Sequence, residues 1–178
     1  PYKYQMFVVS YLSPKTPYRS LLAYHGLGTG KTRTSIMLGN EFIADGKKIL
    51  VLLPGALRTN YYEELYLYGP KGVYIENYKK LSAEVRREKE TAANRVITHY
   101  YDILTYNEGG LYTKLRMLVN PKTGMLEDRL IIIDEVHDFI SRMSNITNQS
   151  RRIYYFLMDH VSNCKFLGLS GSPILNSA

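Results

Sequence analysis

A glycine-rich turn between an apolar run and a helical pattern constrains the fold of this chain more than any other feature. The apolar run covers residues 21–24, and Ile36, Met37 and Leu38 lie on the helical pattern that follows. The turn and the positions directly after it are our candidate nucleotide-binding residues: His25, Gly26, Leu27, Gly28, Thr29, Gly30, Lys31, Thr32 and Arg33. A strand, a glycine-rich loop and a helix, in this order, are the layout of a phosphate-binding loop.

Each part of this turn has a chemical reason. Backbone N–H groups at the start of a helix hold a polyphosphate only if side chains do not block the approach, and glycines remove those side chains. Lys31 then reaches the β- and γ-phosphates, and the Thr32 hydroxyl ligates the Mg²⁺ that bridges them. His25 stands where the usual pattern has its first glycine, which we interpret as a variant. The alternative for the turn alone is a flexible loop followed by a surface lysine.

A second motif, at the end of the most hydrophobic run of the chain, favours hydrolysis. Residues 129–134 have the pattern of a buried strand that ends in Asp134, and Glu135 follows directly. Open α/β sheets bind ligands at the carboxyl edge, where these carboxylates would lie. Asp134 and Thr32 are therefore the candidate Mg²⁺ ligands, and Glu135 is the candidate base for the water that attacks the γ-phosphate. Together with Lys31, the two acids are the candidate catalytic residues.

Composition limits the remaining function classes. A chain of 178 residues, 45% hydrophobic and 22% charged, is sized for one soluble globular domain. It has no apolar run as long as a membrane span, no signal-peptide core and a single cysteine, which predicts no membrane partner and an intracellular, reducing setting. Residues 1–60 hold eight Lys or Arg and two acids. This basic third suits a nucleotide and a nucleic-acid backbone, with charge for solubility alone as the alternative.

Strand and helix patterns alternate along the chain. We predict helices over residues 4–9, 31–44, 56–68, 82–93, 102–106 and 149–161, and strands over residues 21–24, 48–53, 73–75, 95–99, 129–134 and 165–170. Residues 107–128, which hold two glycine clusters and a proline, are predicted to be irregular or a hairpin insertion. The alternation predicts an α/β fold, a single P-loop domain whose central, mostly parallel sheet is flanked by helices on both faces.

The acidic pair is part of a longer resemblance. Residues 134–137, Asp-Glu-Val-His, resemble the D-E-x-H box of superfamily 2 helicases. Gln5 resembles the glutamine with which that family reads adenine, an ordinary polar helix residue being the alternative. Residues 170–176 resemble the family's third motif, which links the nucleotide state to lobe movement. The coupling residues that this resemblance implies are His137, Ser170, Gly171 and Ser172.

Two further stretches resemble motifs that touch the nucleic-acid backbone in this family. One follows the predicted strand at residues 48–53 and is similar to the Snf2-like branch, and the other, residues 96–100, is interpreted as a strand end. The nucleic-acid contacts implied are Pro54, Gly55, Arg58, Thr98 and Tyr100. Residues 11–32 also resemble the ATPases of nucleocytoplasmic large DNA viruses, a group in which a histidine at position 25 is familiar.

Superfamily 2 helicases have two RecA-like lobes, and residues 1–178 are identified as the first of them. The resemblance implies ATP and Mg²⁺ as cofactors and nucleic acid as partner, with DNA favoured over RNA. It implies a second RecA-like lobe, normally in the same polypeptide, that supplies an arginine finger. ATP hydrolysis would drive movement on DNA or its remodelling, in viral transcription and with the transcription machinery as a partner, in the host cytoplasm or the virion.

Two other function classes were compared with this one. The first is a transcription factor subunit in which the lobe acts mainly as a nucleotide-switched module that binds DNA and proteins. The second is a P-loop kinase of small metabolites, which is disfavoured because nothing in the chain resembles a lid of arginines. Such a kinase also has less use for a glutamate directly after the Mg²⁺ aspartate, as at Glu135.

Overall fold

The computed structural model describes residues 2–24, 30–107, 109–144 and 147–171, with the backbone alone at Asn148. Its strands are β1 (Ser20–Tyr24), β2 (Lys48–Leu53), β3 (Tyr101–Thr105), β4 (Leu126–Glu127), β5 (Arg129–Ile133), β6 (Val161–Ser162) and β7 (Lys165–Ser170). Its helices are α1 (Lys3–Leu12), α2 (Lys31–Ala44), α3 (Arg58–Tyr68), α4 (Ala83–Tyr100), α5 (Leu111–Arg116), α6 (Val136–Ser144) and α7 (Asn148–Asp159). None of these described helices combines the length and the apolarity needed to cross a membrane.

Five parallel strands form the central sheet, in the order β1-β7-β5-β2-β3, and β4 and β6 form a separate parallel pair. Alternate side chains enter two apolar layers. In β2, Ile49, Val51 and Leu53 pack into the layer of α1 to α4, whereas Leu50 and Leu52 pack into the layer of α5 to α7. A strand covered on both faces must be apolar at nearly every position, which explains its continuous hydrophobic sequence. The predicted α/β fold with helices on both faces is confirmed.

Three elements have the bounds that the sequence predicts: α2, β2 and β7. The predicted strand at residues 95–99 and helix at residues 102–106 are wrong. Ser82 caps α4 by accepting a hydrogen bond from Val85 N, and the helix buries Ala93 and Ile97, four residues apart, on one face. The strand follows at residues 101–105, where buried and half-buried side chains alternate. Residues 93–100 therefore follow the hydrophobic period of a helix, and the two-residue period of a strand begins at residue 101.

Two other predictions differ from the structure for local reasons. Residues 73–75 end a turn and form no strand, because Val73 N and Tyr74 N donate to Pro70 O and Ile75 N donates to Tyr66 O. Residues 107–128 contain α5 and β4 and are therefore neither irregular throughout nor a hairpin. Their partners are distant in sequence, since β4 pairs with β6.

A close contact joins the middle of α2 to the start of β3. The Tyr101 side chain is buried, and its hydroxyl finds no hydrogen-bond partner among the described residues. A Cβ atom added at Gly39 would lie 2.7 Å from that hydroxyl oxygen and 3.5 Å from the ring carbon that carries it. Glycine is required at position 39 because of the hydroxyl and not because of the ring.

We therefore predict opposite effects of one substitution in two backgrounds. Gly39→Ala lowers the free energy of unfolding by about 1–3 kcal/mol, because the methyl group overpacks against the hydroxyl. In a Tyr101→Phe background the same substitution raises it by up to about 1 kcal/mol, because alanine is the better helix former. Urea unfolding of the wild type, the two single variants and the double variant gives the free energies of unfolding for this double-mutant cycle. Equal effects of Gly39→Ala in both backgrounds would contradict the prediction.

Candidate nucleotide-binding site

The carboxyl ends of the parallel strands bring the predicted motifs together. Tyr24, at the end of β1, is in register with Ser170, at the end of β7. β5 lies between β7 and β2 and ends at Ile133, directly before Asp134. The chain segments that follow β1, β5 and β7 therefore start at one edge of the sheet, and α2 begins there with Lys31.

An ion pair between Lys31 and Glu135 crosses this edge. Lys31 Nζ lies 3.5 Å from Glu135 Oε1, and the two side chains are only 12% and 24% exposed. Gly171, directly after β7, lies against the same ammonium group. A lysine ammonium binds the oxygens of a phosphate as readily as it binds those of a carboxylate. The pair therefore places a cation, at the start of a helix, where it can exchange a carboxylate partner for a phosphate.

Asp134 is buried beside this pair and is 4% exposed. Its backbone N donates to Leu52 O at 2.8 Å, and its Oδ1 accepts a hydrogen bond from Glu135 N at 3.0 Å. Burial, together with the charge of Glu135, raises the pKa of Asp134 to about 6, against the opposing effects of the Glu135 amide and of Lys31. A buried carboxylate of this kind gains from a bound divalent cation, so the donor set fits Mg²⁺.

Glu135 is also linked to the residues predicted to couple the two halves of the motor. Its Oε2 lies 3.4 Å from His137 Nδ1, and the same nitrogen lies 3.0 Å from Ser170 Oγ. Ser170 is 1% exposed at the end of β7. A polar chain thus runs from the first turn of α6 to the end of the neighbouring strand. Of the four predicted coupling residues, Ser172 lies outside the described residues.

Gly30 ends the phosphate-loop motif and caps α2. Its φ of 75° is in the left-handed region, which favours glycine. Gln5, which is 1% exposed, donates from Nε2 to Gly30 O at 3.3 Å and accepts from Tyr2 N at 2.9 Å. Gln5 therefore supports the end of the motif from α1. Its contact with adenine stays a prediction.

The other predicted nucleotide contacts have separate outcomes. Thr32 follows Lys31 in the first turn of α2 and is half-buried there. The guanidinium of Arg33 lies 4.4 Å from the centre of the Tyr68 ring, so it stacks on α3. The structure gives Arg33 this packing contact, and its contact with the nucleotide stays a prediction. His25, Gly26, Leu27, Gly28 and Thr29 lie outside the described residues.

Three of the predicted nucleic-acid contacts lie at the same edge as the acids. Pro54 and Gly55 follow β2, and Gly55 N donates to Asn107 Oδ1 at 2.8 Å. Arg58 opens α3 and is exposed. The ends of β2 and β3, which are neighbours in the sheet, are thereby joined through a side chain.

The interpretation of Thr98 and Tyr100 as the end of a strand is wrong. Both lie in the last turn of α4, which precedes β3, so they stand at the amino edge of the sheet, opposite Asp134. The residues that follow the carboxyl end of β3 are Tyr106 and Asn107, which the sequence analysis missed. The alternation at residues 101–105, followed by an asparagine and two glycines, was the signal that marks this strand end.

An apolar cavity of about 700 Å³ lies elsewhere, between α6, α7 and the strands β1 and β7. Its lining includes Ile140, Tyr154 and Met158, and no carboxylate among the described residues borders it. Without acids or a lysine it offers no chemistry for a magnesium nucleotide. The candidate site is therefore the edge that holds Lys31 and Asp134.

Comparisons with known proteins identify the family of this chain. The family model described as Type III restriction enzyme, res subunit, matches residues 1–175. A putative ATP-dependent RNA helicase of Acanthamoeba polyphaga mimivirus is 28% identical over 97% of this chain and 30% of its own length. A putative helicase of Frog virus 3 is 31% identical over 97% of this chain and 18% of its own length.

A solved structure has the same fold. The Sulfolobus solfataricus SWI2/SNF2 ATPase core, in complex with dsDNA, matches with a TM-score of 0.57 and 22% identity over 98% of this chain and 32% of that one. The chain spans between 18% and 30% of the length of the first curated relatives that it matches. It belongs to the family described as Type III restriction enzyme, res subunit, and it has the RecA-like fold of helicase ATPase domains.

Proposed function

We propose that this chain is the ATP-binding lobe of a nucleic-acid-dependent ATPase, a helicase or translocase that couples ATP hydrolysis to movement on DNA or its remodelling. The observation that carries this proposal is the 3.5 Å ion pair of Lys31 and Glu135 beside the buried Asp134. The family and the names of the relatives, which include ATP-dependent helicases, support it.

The residues divide the chemistry between them. Lys31 releases Glu135 and binds the β- and γ-phosphates, while Asp134 and the Thr32 hydroxyl would hold Mg²⁺. When bound, Mg²⁺ neutralises charge on the phosphate oxygens. Glu135, freed from Lys31, orients the attacking water and accepts its proton. His137 and Ser170 transmit the change at Glu135 to the end of β7.

Nucleic acid would lie along the ends of β2 and β3, where Pro54, Gly55 and Arg58 stand. An exposed arginine and backbone N–H groups suit phosphate contacts, which do not depend on sequence. The dsDNA in the SWI2/SNF2 structure supports DNA, whereas the mimivirus relative is named an RNA helicase. We favour DNA, and the assays below include both polymers.

A second RecA-like lobe, normally in the same polypeptide, belongs to the proposal because this class of motor completes its site with an arginine from outside the first lobe. The most specific part of the proposal is a role in viral transcription, with the transcription machinery as a partner. The viral relatives and the resemblance of residues 11–32 to large DNA virus ATPases support it. The setting would be the host cytoplasm or the virion.

The first prediction concerns Glu135 in the full-length gene product that carries this lobe. Glu135→Gln lowers nucleic-acid-stimulated ATP turnover by about 10²–10⁴-fold, because the base that accepts the proton of water is lost. Binding of a fluorescent ATP analogue stays within about twofold, since the phosphates are held by other residues. Turnover is measured by phosphate release with single-stranded DNA, double-stranded DNA and RNA.

Glu41→Gln is the matched control, because Glu41 is exposed on α2 and stands in none of the predicted motifs. It keeps wild-type turnover. Loss of turnover in both variants, or in neither, would contradict the assignment of Glu135. A Glu135→Gln protein that loses turnover and still supports transcription would favour the nucleotide-switched binding module.

The second prediction concerns residues 1–178 alone. Without an arginine from a second lobe, we expect this piece to hydrolyse ATP about 10³–10⁵-fold more slowly than the full-length protein. Single-turnover hydrolysis with excess protein measures the difference. A rate near that of the full-length protein would show that residues 1–178 need no second lobe.

The third prediction follows from the use of Asp134 for a metal. Its pKa is raised to about 6 in the folded chain, above the unfolded value of about 3.9. The folded state therefore keeps a proton that the unfolded state loses, so Asp134 destabilises the fold increasingly as pH rises through this window. Asp134→Asn raises Tm by several degrees at pH 8 and by little at pH 4, without Mg²⁺ and nucleotide.

Asp102→Asn is the control of opposite sign. Asp102 pairs with Arg129, which is 8% exposed, so its loss leaves a buried cation and lowers Tm at both pH values. Differential scanning calorimetry measures both variants. A Tm of Asp134→Asn at or below that of the wild type at pH 8 would contradict the third prediction.

A further inference from the structure

Tyr106 connects the end of β3 to the acidic pair. Its single hydroxyl proton is shared between two carbonyl acceptors, Asp134 O at 3.1 Å and Glu135 O at 3.2 Å. Its backbone N donates to Leu53 O, the last residue of β2, at 3.1 Å. The side chain is 6% exposed. One residue thus contacts both carbonyls of the turn that carries the catalytic carboxylates.

That turn has a backbone geometry that needs support. Glu135 has a φ of 48°, in the left-handed region, which costs a residue with a side chain about 1–2 kcal/mol. Such a conformation persists only where the surroundings fix it. Asp138 N and Phe139 N, in the first turn of α6, donate to Glu135 O at 2.9 and 3.3 Å. Tyr106 adds its hydroxyl from the segment that directly follows β3, so the turn is held from two sides.

The Tyr106 hydroxyl is suited to this task. A phenolic hydroxyl keeps its proton at neutral pH, so it stays a donor here. The edge of the ring packs on Phe139, with centroids 5.3 Å apart and planes at 70°. The packing of the Tyr106 ring on Phe139 fixes the position of the hydroxyl oxygen, and the hydroxyl in turn holds the Asp134 and Glu135 carbonyls.

The residue next to Tyr106 faces the proposed nucleic-acid edge. Asn107 Oδ1 accepts the hydrogen bond from Gly55 N at 2.8 Å. Tyr106 and Asn107 also line a cavity of about 340 Å³ together with Arg142 and Gly110. A displacement of Gly55 by a bound strand would therefore reach the acidic turn through two consecutive residues.

We propose that Tyr106 is a positioning residue for ATP hydrolysis, which holds the Asp134–Glu135 turn so that the Glu135 carboxylate faces the attacking water, and which joins this turn to the nucleic-acid edge at Gly55. The inference rests on the proposed function. It adds a residue that none of the resembled motifs contains, because neither side-chain chemistry nor a sequence pattern identifies a hydroxyl that binds two main-chain carbonyls.

Tyr106→Phe is the decisive variant, since it keeps the ring on Phe139 and removes only the hydroxyl. Without the hydroxyl the turn relaxes from its left-handed conformation, and the Glu135 carboxylate shifts. A displacement of about 1 Å of a catalytic group can lower the rate by about 10²-fold, so a smaller shift of this general base still lowers it measurably. In the full-length protein we expect kcat at saturating nucleic acid to fall at least about 10-fold, with KM for ATP and affinity for a fluorescent ATP analogue within about twofold.

Tyr101→Phe is the matched control. Tyr101 is a second buried tyrosine, at the other end of β3, and its hydroxyl contacts α2 far from the acids. This variant keeps wild-type kcat, which separates the specific role of Tyr106 from a general effect of losing a buried hydroxyl. Melting curves set the assay temperature well below the transition of every variant.

Tyr106→Leu, which lacks both ring and hydroxyl, gives a second measurement. If the hydroxyl positions Glu135, the Phe and Leu variants lose kcat to a similar extent. Normal turnover of Tyr106→Phe, with or without loss in Tyr106→Leu, would overturn the inference and leave a packing role. Equal loss of kcat and of nucleotide affinity would overturn it as well. These results differ from failure of the proposed function, in which Glu135→Gln itself keeps its turnover.

Discussion

The structure depends on one constraint, the coverage of the central strands on both faces. In β5, Leu130 and Ile132 enter one apolar layer and Ile131 and Ile133 the other, so the strand has no exposed side on which a polar group would be solvated. Polar chemistry is therefore limited to the strand ends. Because the five strands are parallel, their carboxyl ends share one edge, where the two acids, Lys31, His137 and Ser170 meet. The site is a consequence of how the core is packed.

Burying charged side chains at this edge costs folding free energy, and contacts with neighbouring groups reduce that cost. Asp134 is buried deeply enough for its pKa to rise to about 6. Glu135 is held in a left-handed backbone conformation and shares its two carboxylate oxygens between Lys31 and His137. Each of these contacts is reversible, since a phosphate or a metal ion offers the same groups a stronger partner. Under the proposed function, a magnesium nucleotide would be that partner.

The bounds of some elements could be predicted from the sequence and those of others could not, for physical reasons. The bounds of α2, β2 and β7 follow from the sequence, since each has one clear periodicity and a glycine, a proline or a charge at its ends. Residues 95–105 do not follow from it. Val96 and Ile97 suggest a strand, and only the packing of Ala93 and Ile97 on the sheet shows that the helix continues to Tyr100. Because of that error, Thr98 and Tyr100 were expected at the carboxyl edge of the sheet, whereas they lie at its amino edge.

By itself, the sequence determined the chemistry that is available: a lysine and threonine after a glycine-rich turn, and two adjacent acids at the end of an apolar strand. These are local features, because each depends on a few consecutive residues and on hydrophobic periodicity. Only the tertiary structure decided that Lys31 and Glu135 are 3.5 Å apart, that Asn107 binds Gly55, and that the Tyr106 hydroxyl supports the acidic turn. Such contacts join residues that are distant along the chain, and they depend on strand order and register, which no local pattern encodes.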